Sequence, residues 1–174
     1  MSNNISNKKS IIFLSIILLV VAILYYQTAC RTIFVGDTAE LSATIFCNGI
    51  AHPPGYPLYT TLGFFLTRPI YAFVNKNLID FAFLSNLYSA LLTLGGLIIF
   101  FKILLLFAEI LFYNNDKYLK NSNQEQSNSF IAQTNNYIIF GVLLTIFIAA
   151  TSVTLWEQSL ITEVYTFEFL LINI

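Results

Sequence analysis

Three long apolar runs, at residues 11–26, 81–108 and 137–155, constrain this chain more than any other feature; the first and third carry no charge and the second only Lys102. They are about 16 to 28 residues long, and a helix needs roughly 20 apolar residues to cross the hydrocarbon of a bilayer. Backbone N–H and C=O groups find no water there, so such runs must close their hydrogen bonds inside helices. The expected fold is therefore an all-α membrane protein, a multi-spanning helical bundle. Composition agrees, with 57% hydrophobic and 10% charged residues against roughly 25% charged in soluble domains. A net charge of -1 supplies no basic field for nucleic acid, which is excluded as a partner. Cys30 and Cys47 fit neither a zinc pattern nor a disulfide framework. Both are expected as small buried side chains, with a single bridge between them as the alternative.

The expected layout has spans at about 11–28, 81–110 and 137–155, and the start of a fourth at 166–174. A loop of about 29–80 leaves the first span, and a polar, Asn/Ser/Gln-rich loop of about 111–136 separates the second and third. A cleaved leader would have a shorter apolar core and a small-residue cleavage site before Thr32, which is missing. The last run is too short to cross, so residues 1–174 are expected to be the N-terminal part of one transmembrane domain in a longer protein. Ser85, Ser89 and Thr93 recur every fourth residue ahead of Gly95 and Gly96. That spacing makes a small-residue stripe for close contact with another helix.

The first loop holds most of the chemistry. Asp37 can cap a helix start and Glu40, three residues on, can complete a capping box, with Asn48-Gly49 as the stop of a helix of about ten residues. Residues 51–57, Ala-His-Pro-Pro-Gly-Tyr-Pro, must form a stiff bent loop, because each proline lacks an N–H and extends the residue before it. Arg68-Pro69 is expected to cut the next apolar stretch into two interfacial pieces. A short amphipathic segment at 156–165 carries Trp156, Glu163 and Tyr165 to a membrane boundary. Two crossings separate Asp37 from Glu163, so both must face the same side. Lys8, Lys9, Lys102, Lys117 and Lys120 against Arg31, Arg68 and Lys76 favour a cytoplasmic N-terminus and an extracytoplasmic first loop.

Each polar residue also has a plain structural role open to it: Asp37 and Glu40 as caps, His52 as a loop histidine, Glu163 as a solvated span end, Arg31 as a snorkelling anchor. Beside that reading stands a resemblance. Gly36-Asp37-Thr38-Ala39-Glu40-Leu41, Gly49 to Tyr59 with its His-Pro-Pro-Gly-Tyr-Pro core, Asn86-Leu87-Tyr88-Ser89-Ala90-Leu91, Trp156-Glu157-Gln158-Ser159 and Thr162-Glu163-Val164-Tyr165-Thr166 resemble the successive motifs of the protein O-mannosyltransferase-like family typified by transmembrane protein 260. The resemblance implies the N-terminal part of a class-C membrane glycosyltransferase. Such an enzyme moves a sugar, mannose in the first instance, from a polyprenyl-phosphate donor to an acceptor hydroxyl on a protein, lipid or glycan. It implies Asp37, with Glu40 beside it, as the catalytic acid of the first loop, and His52, Tyr56, Glu163 and Tyr165 as substrate-site residues.

Physical chemistry adds Arg31 or His52 as cations to offset charge on a departing phosphate. No protein cofactor or metal ligand set is indicated, and use of a divalent cation is left open. The membrane would be a bacterial inner membrane or that of the endoplasmic reticulum. Two alternatives come from other classes: an ion- or proton-coupled transporter using Asp37, Glu40 and Glu163, and a non-catalytic membrane assembly subunit. Transporter carboxylates gather near mid-membrane on broken helices, whereas these flank spans.

Overall fold

The computed structural model describes the backbone of residues 8–74, 79–119 and 124–174, and among these the side chains of residues 10–74, 79–111 and 135–174. It is all-helical over those residues: α1 (Lys8–Thr28), α2 (Thr38–Cys47), α3 (Pro57–Phe73), α4 (Phe81–Leu119), α5 (Gln124–Thr151), α6 (Val153–Ser159) and α7 (Tyr165–Ile172). Stretches of α1 (Ser10–Thr28) and α4 (Phe81–Leu111) are each long and apolar enough to cross a membrane. The lysines of the orientation count other than Lys102 have side chains outside the described set.

The third expected span is not one straight helix. Residues 135–151 of α5 and all of α6 meet at an angle of 60°, because Ser152 is extended (φ -63, ψ 139) and breaks the helical ladder between them. Tyr25 holds that break in place. Its hydroxyl donates to the Ala150 carbonyl at 2.7 Å, satisfying one of the acceptors a helix end leaves open, and Trp156 packs edge-on against its ring at 5.4 Å.

Three further expectations need correction. The polar stretch expected as a loop at 111–136 is helical up to Leu119 and again from Gln124. Asn, Ser and Gln cost only about half a kcal/mol each in a helix relative to Ala, so helices fixed by apolar packing extend through them. Pro69 does not divide α3, which runs unbroken from Pro57 to Phe73. A proline inside a helix costs ~3 kcal/mol, and packing on both sides offsets it. Thr67 is buried with its hydroxyl on the Gly63 carbonyl, Tyr71 stacks edge-on with Phe46 and Phe81, and the Arg68 guanidinium lies 3.9 Å over the Phe46 ring. The cysteines are both free, and Cys47 is exposed where a buried residue was expected.

The small-residue stripe behaves as its spacing implies. Ser85, Ser89 and Thr93 are fully buried, and α7 lies so close to Gly96 that a Cβ there would come within 2.5 Å of the Phe169 ring. Two apolar cores result. One joins α1, α4 and α5 through Val21, Tyr25, Leu97, Phe101 and Ile146. The other seats α2 and α3 on α4 and α7 through Leu41, Ile45, Tyr59, Tyr88 and Phe167.

Candidate active site

Helix α2 begins one residue after Asp37, where Gly36 (φ +94) turns the chain into it, and ends at Asn48, which takes the left-handed conformation expected of a stop. The capping box does not form. Asp37 occupies the cap position but makes no side-chain cap hydrogen bond, and Glu40 points to the proline loop instead. There Glu40 accepts two hydrogen bonds from one residue: the backbone N–H of His52 on Oε1 and its ring Nδ1 at 2.9 Å on Oε2. Both carboxylate oxygens are engaged by this one loop residue, where the capping box would have used a single N–H.

This double contact fixes the imidazole, with Nδ1 carrying a proton toward Glu40 and Nε2 facing Asp37 at 3.7 Å from its Oδ2. The hydrogen bond to Glu40 raises the His52 pKa above its ordinary value, opposed by burial and aided by the charges of Asp37 and Glu163. The same bond, seen from the other side, lowers that of Glu40. Asp37 itself is well exposed, with 60% of its side chain open. The loop that carries His52 is a tight turn closed by Gly55 N–H on the His52 carbonyl at 2.8 Å. Tyr56 follows in the left-handed conformation (φ 43) and stands edge-on to the imidazole at 6.0 Å.

Glu163 arrives from the far end of the described chain, just ahead of α7. Its Oε1 lies 3.9 Å from where a Cβ on Gly36 would sit. Burial raises its pKa first and the Asp37 charge raises it further, while the Val164 backbone and His52 pull it down. Its backbone N–H donates to Ser89 Oγ at 3.3 Å, and that hydroxyl also meets Tyr59 Oη at 3.3 Å.

Sequence reasoning missed the buried polar network beneath these groups. Thr162 has one hydroxyl proton, and Asn86 Oδ1, 2.6 Å away, can only accept, so Thr162 donates there. Ser42 and Ser85 complete the hydroxyl cluster at 2.7 to 3.2 Å. The Asn86 amide donates to the carbonyls of Cys30 and Thr32 at 2.8 and 3.2 Å. The stretch leading to Asp37 and the stretch leading to Glu163 are thereby fastened to one turn of α4. The four-residue serine spacing was the available signal, but it reads as helix packing until the partners are known.

Two expected site residues lie elsewhere. The Arg31 guanidinium sits on the Phe83 and Tyr26 rings at 4.2 and 5.2 Å and pairs with no carboxylate among the described residues, as an interfacial anchor would. Tyr165, largely exposed, lines a groove beside α6 together with Phe100, Leu155 and Phe169. Among the described residues no group of three His, Cys, Asp or Glu side chains is arranged to hold a metal ion.

The site thus presents an open carboxylate, a histidine held toward its cationic form, and a half-buried second acid, which together suit proton transfer beside a negatively charged group. Comparison with known proteins bears on the same residues. The family described as "Protein O-mannosyl-transferase TMEM260 N-terminal domain" matches residues 37–174, beginning at Asp37 and including Glu40, His52 and Glu163. The Protein O-mannosyl-transferase tmem260 of Dictyostelium discoideum is 39% identical over 64 residues, which are 36% of this chain and 8% of that relative's length. No solved structure matches the chain. With most of its length matched by that family, the chain belongs to the protein O-mannosyl-transferase TMEM260 N-terminal domain family.

Proposed function

We propose that this chain forms the first-loop half of the active site of a multi-pass membrane glycosyltransferase of class-C type. It moves mannose from a polyprenyl-phosphate carrier to a protein Ser or Thr hydroxyl on the extracytoplasmic face, with its N-terminus in the cytoplasm. Nucleotide sugars are made in the cytoplasm, so transfer on the other face calls for a donor that is already membrane-bound. In this reading Asp37 takes the proton of the acceptor hydroxyl. The freed oxygen attacks the anomeric carbon as its bond to the carrier phosphate breaks, and the phosphate leaves with the electron pair. No acid need protonate so good a leaving group, so the main demands are a base and a fixed positive charge beside the phosphate.

His52 is the better source of that charge than Arg31. Glu40 holds it toward the imidazolium, 3.7 Å from Asp37, whereas Arg31 is occupied by two aromatic rings. Glu163 and Tyr56 shape the wall around them. The observation that carries the proposal is the convergence of Asp37, Glu40 and His52 from one loop with Glu163 from the far end of the chain. The test is transfer of radiolabelled mannose from polyprenyl-phosphate mannose to a protein acceptor by the full-length protein. Asp37→Asn is expected to lower the rate by about 10²-fold or more, the usual worth of a general base. Unchanged transfer would remove Asp37 from the mechanism.

A further inference from the structure

Tyr56 holds a backbone conformation that costs free energy, and its neighbour shows how the cost could be avoided. Its φ is 43 and its ψ 47, the left-handed region that a residue with a Cβ rarely enters. Pro57 follows, and the residue before a proline is pressed toward extended backbone as well. Gly55, one position earlier, meets its own positive φ of 89 with no side chain at all. A glycine at 56 would relieve the strain in the same way, so a tyrosine kept there implies a task for its side chain. That side chain packs against the second apolar core. It also meets the imidazole of His52, with 6.0 Å between ring centroids and 79° between the ring planes.

We propose that Tyr56 is a positioning residue, whose ring, braced by the core, keeps the His52 imidazole turned so that Nδ1 stays on Glu40 and Nε2 faces Asp37. The geometry shows why a second restraint is needed. The contact from Nδ1 to Glu40 Oε2 at 2.9 Å fixes one ring atom and leaves the imidazole able to pivot about that bond. Asp37 cannot hold the other end, since 3.7 Å between its Oδ2 and Nε2 is beyond hydrogen-bond reach. The imidazole is 38% exposed, so the fold does not enclose it. An aromatic ring suits the remaining side, being flat and stiff and favouring an edge-to-face approach. Leucine at 56 would keep apolar bulk for the core and lose the flat edge.

The consequence for sugar transfer rests on the transferase reading; the restraint on His52 does not. The test is an NMR titration of the His52 ring in the full-length protein, labelled at histidine, beside donor kinetics with polyprenyl-phosphate mannose. Glu40, Asp37 and Glu163 supply the charges that face this imidazole, and no change at 56 removes them. Tyr56→Leu is expected to move the His52 midpoint down toward its ordinary 6.5, because a pivoting ring spends less time on Glu40. It should also lower kcat about tenfold or more through misplacement, with KM for the donor held within about twofold. Tyr56→Phe, which keeps the ring, is expected to keep the wild-type midpoint. Tyr56→Gly, which relieves the strain, serves in place of the leucine variant if that one does not fold. An unmoved midpoint in the variants without a ring overturns the proposal, whatever happens to transfer. A raised donor KM with midpoint and kcat unchanged makes Tyr56 a substrate contact and overturns it too. A lowered midpoint with undiminished transfer upholds the positioning and counts against the part given to His52 in the reaction.

Discussion

Replacing Asn86 with leucine keeps the volume of the side chain and removes all of its hydrogen bonds, so it isolates what the polar network contributes. Asn86 is 1% exposed and holds the Cys30 and Thr32 carbonyls and the Thr162 hydroxyl. Their fates after the change differ. Thr162 can turn its proton to Ser85 Oγ at 3.0 Å, and the exposed Thr32 can turn its carbonyl to water. The Cys30 carbonyl, on a half-buried residue, is left without its donor. One stranded acceptor at about 1–3 kcal/mol plus one lost net hydrogen bond at about 1 kcal/mol gives a destabilisation of about 2–4 kcal/mol. Asn86→Asp is expected to be worse, since it turns an oxygen toward two carbonyl oxygens. Reversible unfolding of the full-length protein in mixed micelles measures the stability. Mannose transfer by the same samples is expected to fall further than the folded fraction does, because the network fixes both approaches to the acids and small misplacements cost rate steeply. A leucine variant within about 0.5 kcal/mol of wild type, with undiminished transfer, would refute the claim that this network positions the site.

The remaining predictions concern the acid–histidine pair and the helix contact. His52 is expected to titrate above its ordinary 6.5 and Glu40 below its ordinary 4.5. A raised histidine contributes stability below 6.5 that is lost as pH rises through its folded value, and a lowered carboxylate contributes above 4.5 and loses it as pH falls. The pair is therefore strongest between those values, and Glu163, whose pKa is raised chiefly by burial, follows His52 and runs opposite to Glu40: its ionisation in the folded state costs stability as pH rises. NMR titration of the His52 ring, assigned by its absence in His52→Gln, checks this; Glu40→Gln should move the midpoint down, and an unmoved midpoint would break the link. Gly96→Ala is expected to cost about 1–3 kcal/mol through overpacking, because its Cβ would lie 2.5 Å from the Phe169 ring. Gly95→Ala, which meets Leu170 at 3.4 Å, should be tolerated in the same unfolding assay.

Hydropathy alone made the helical membrane class legible, and the expectation that Asp37 and Glu163 share a side agrees with their nearness, Glu163 Oε1 lying 3.9 Å from a Cβ position on Gly36. Asp37 as a cap residue placed the start of α2 and Asn48-Gly49 its end, although the capping box itself does not form. Side-chain choices between competing partners were not legible. Glu40 had a local cap available and took a loop residue twelve positions away, a contact that depends on how the proline turn folds back. Pro69 and the polar stretch beyond residue 111 were misread for a related reason. Both carry strong local signals against helix, or none for it, and tertiary packing overrides local preference when the cost is a few kcal/mol. Tyr165 and Glu163 are two apart in sequence, yet a helix start between them sends their side chains to different surroundings.

The two bonds from His52 to Glu40 have a further consequence for how this locus tolerates change. Two acids one helical turn apart look like a duplicated function, in which either could stand in for the other. Here one of them has both oxygens committed to its neighbour, so only Asp37 is at liberty to exchange protons. On the mechanism proposed above the pair divides its labour, and a lesion at Asp37 would not be made good by Glu40, whose oxygens are held by His52.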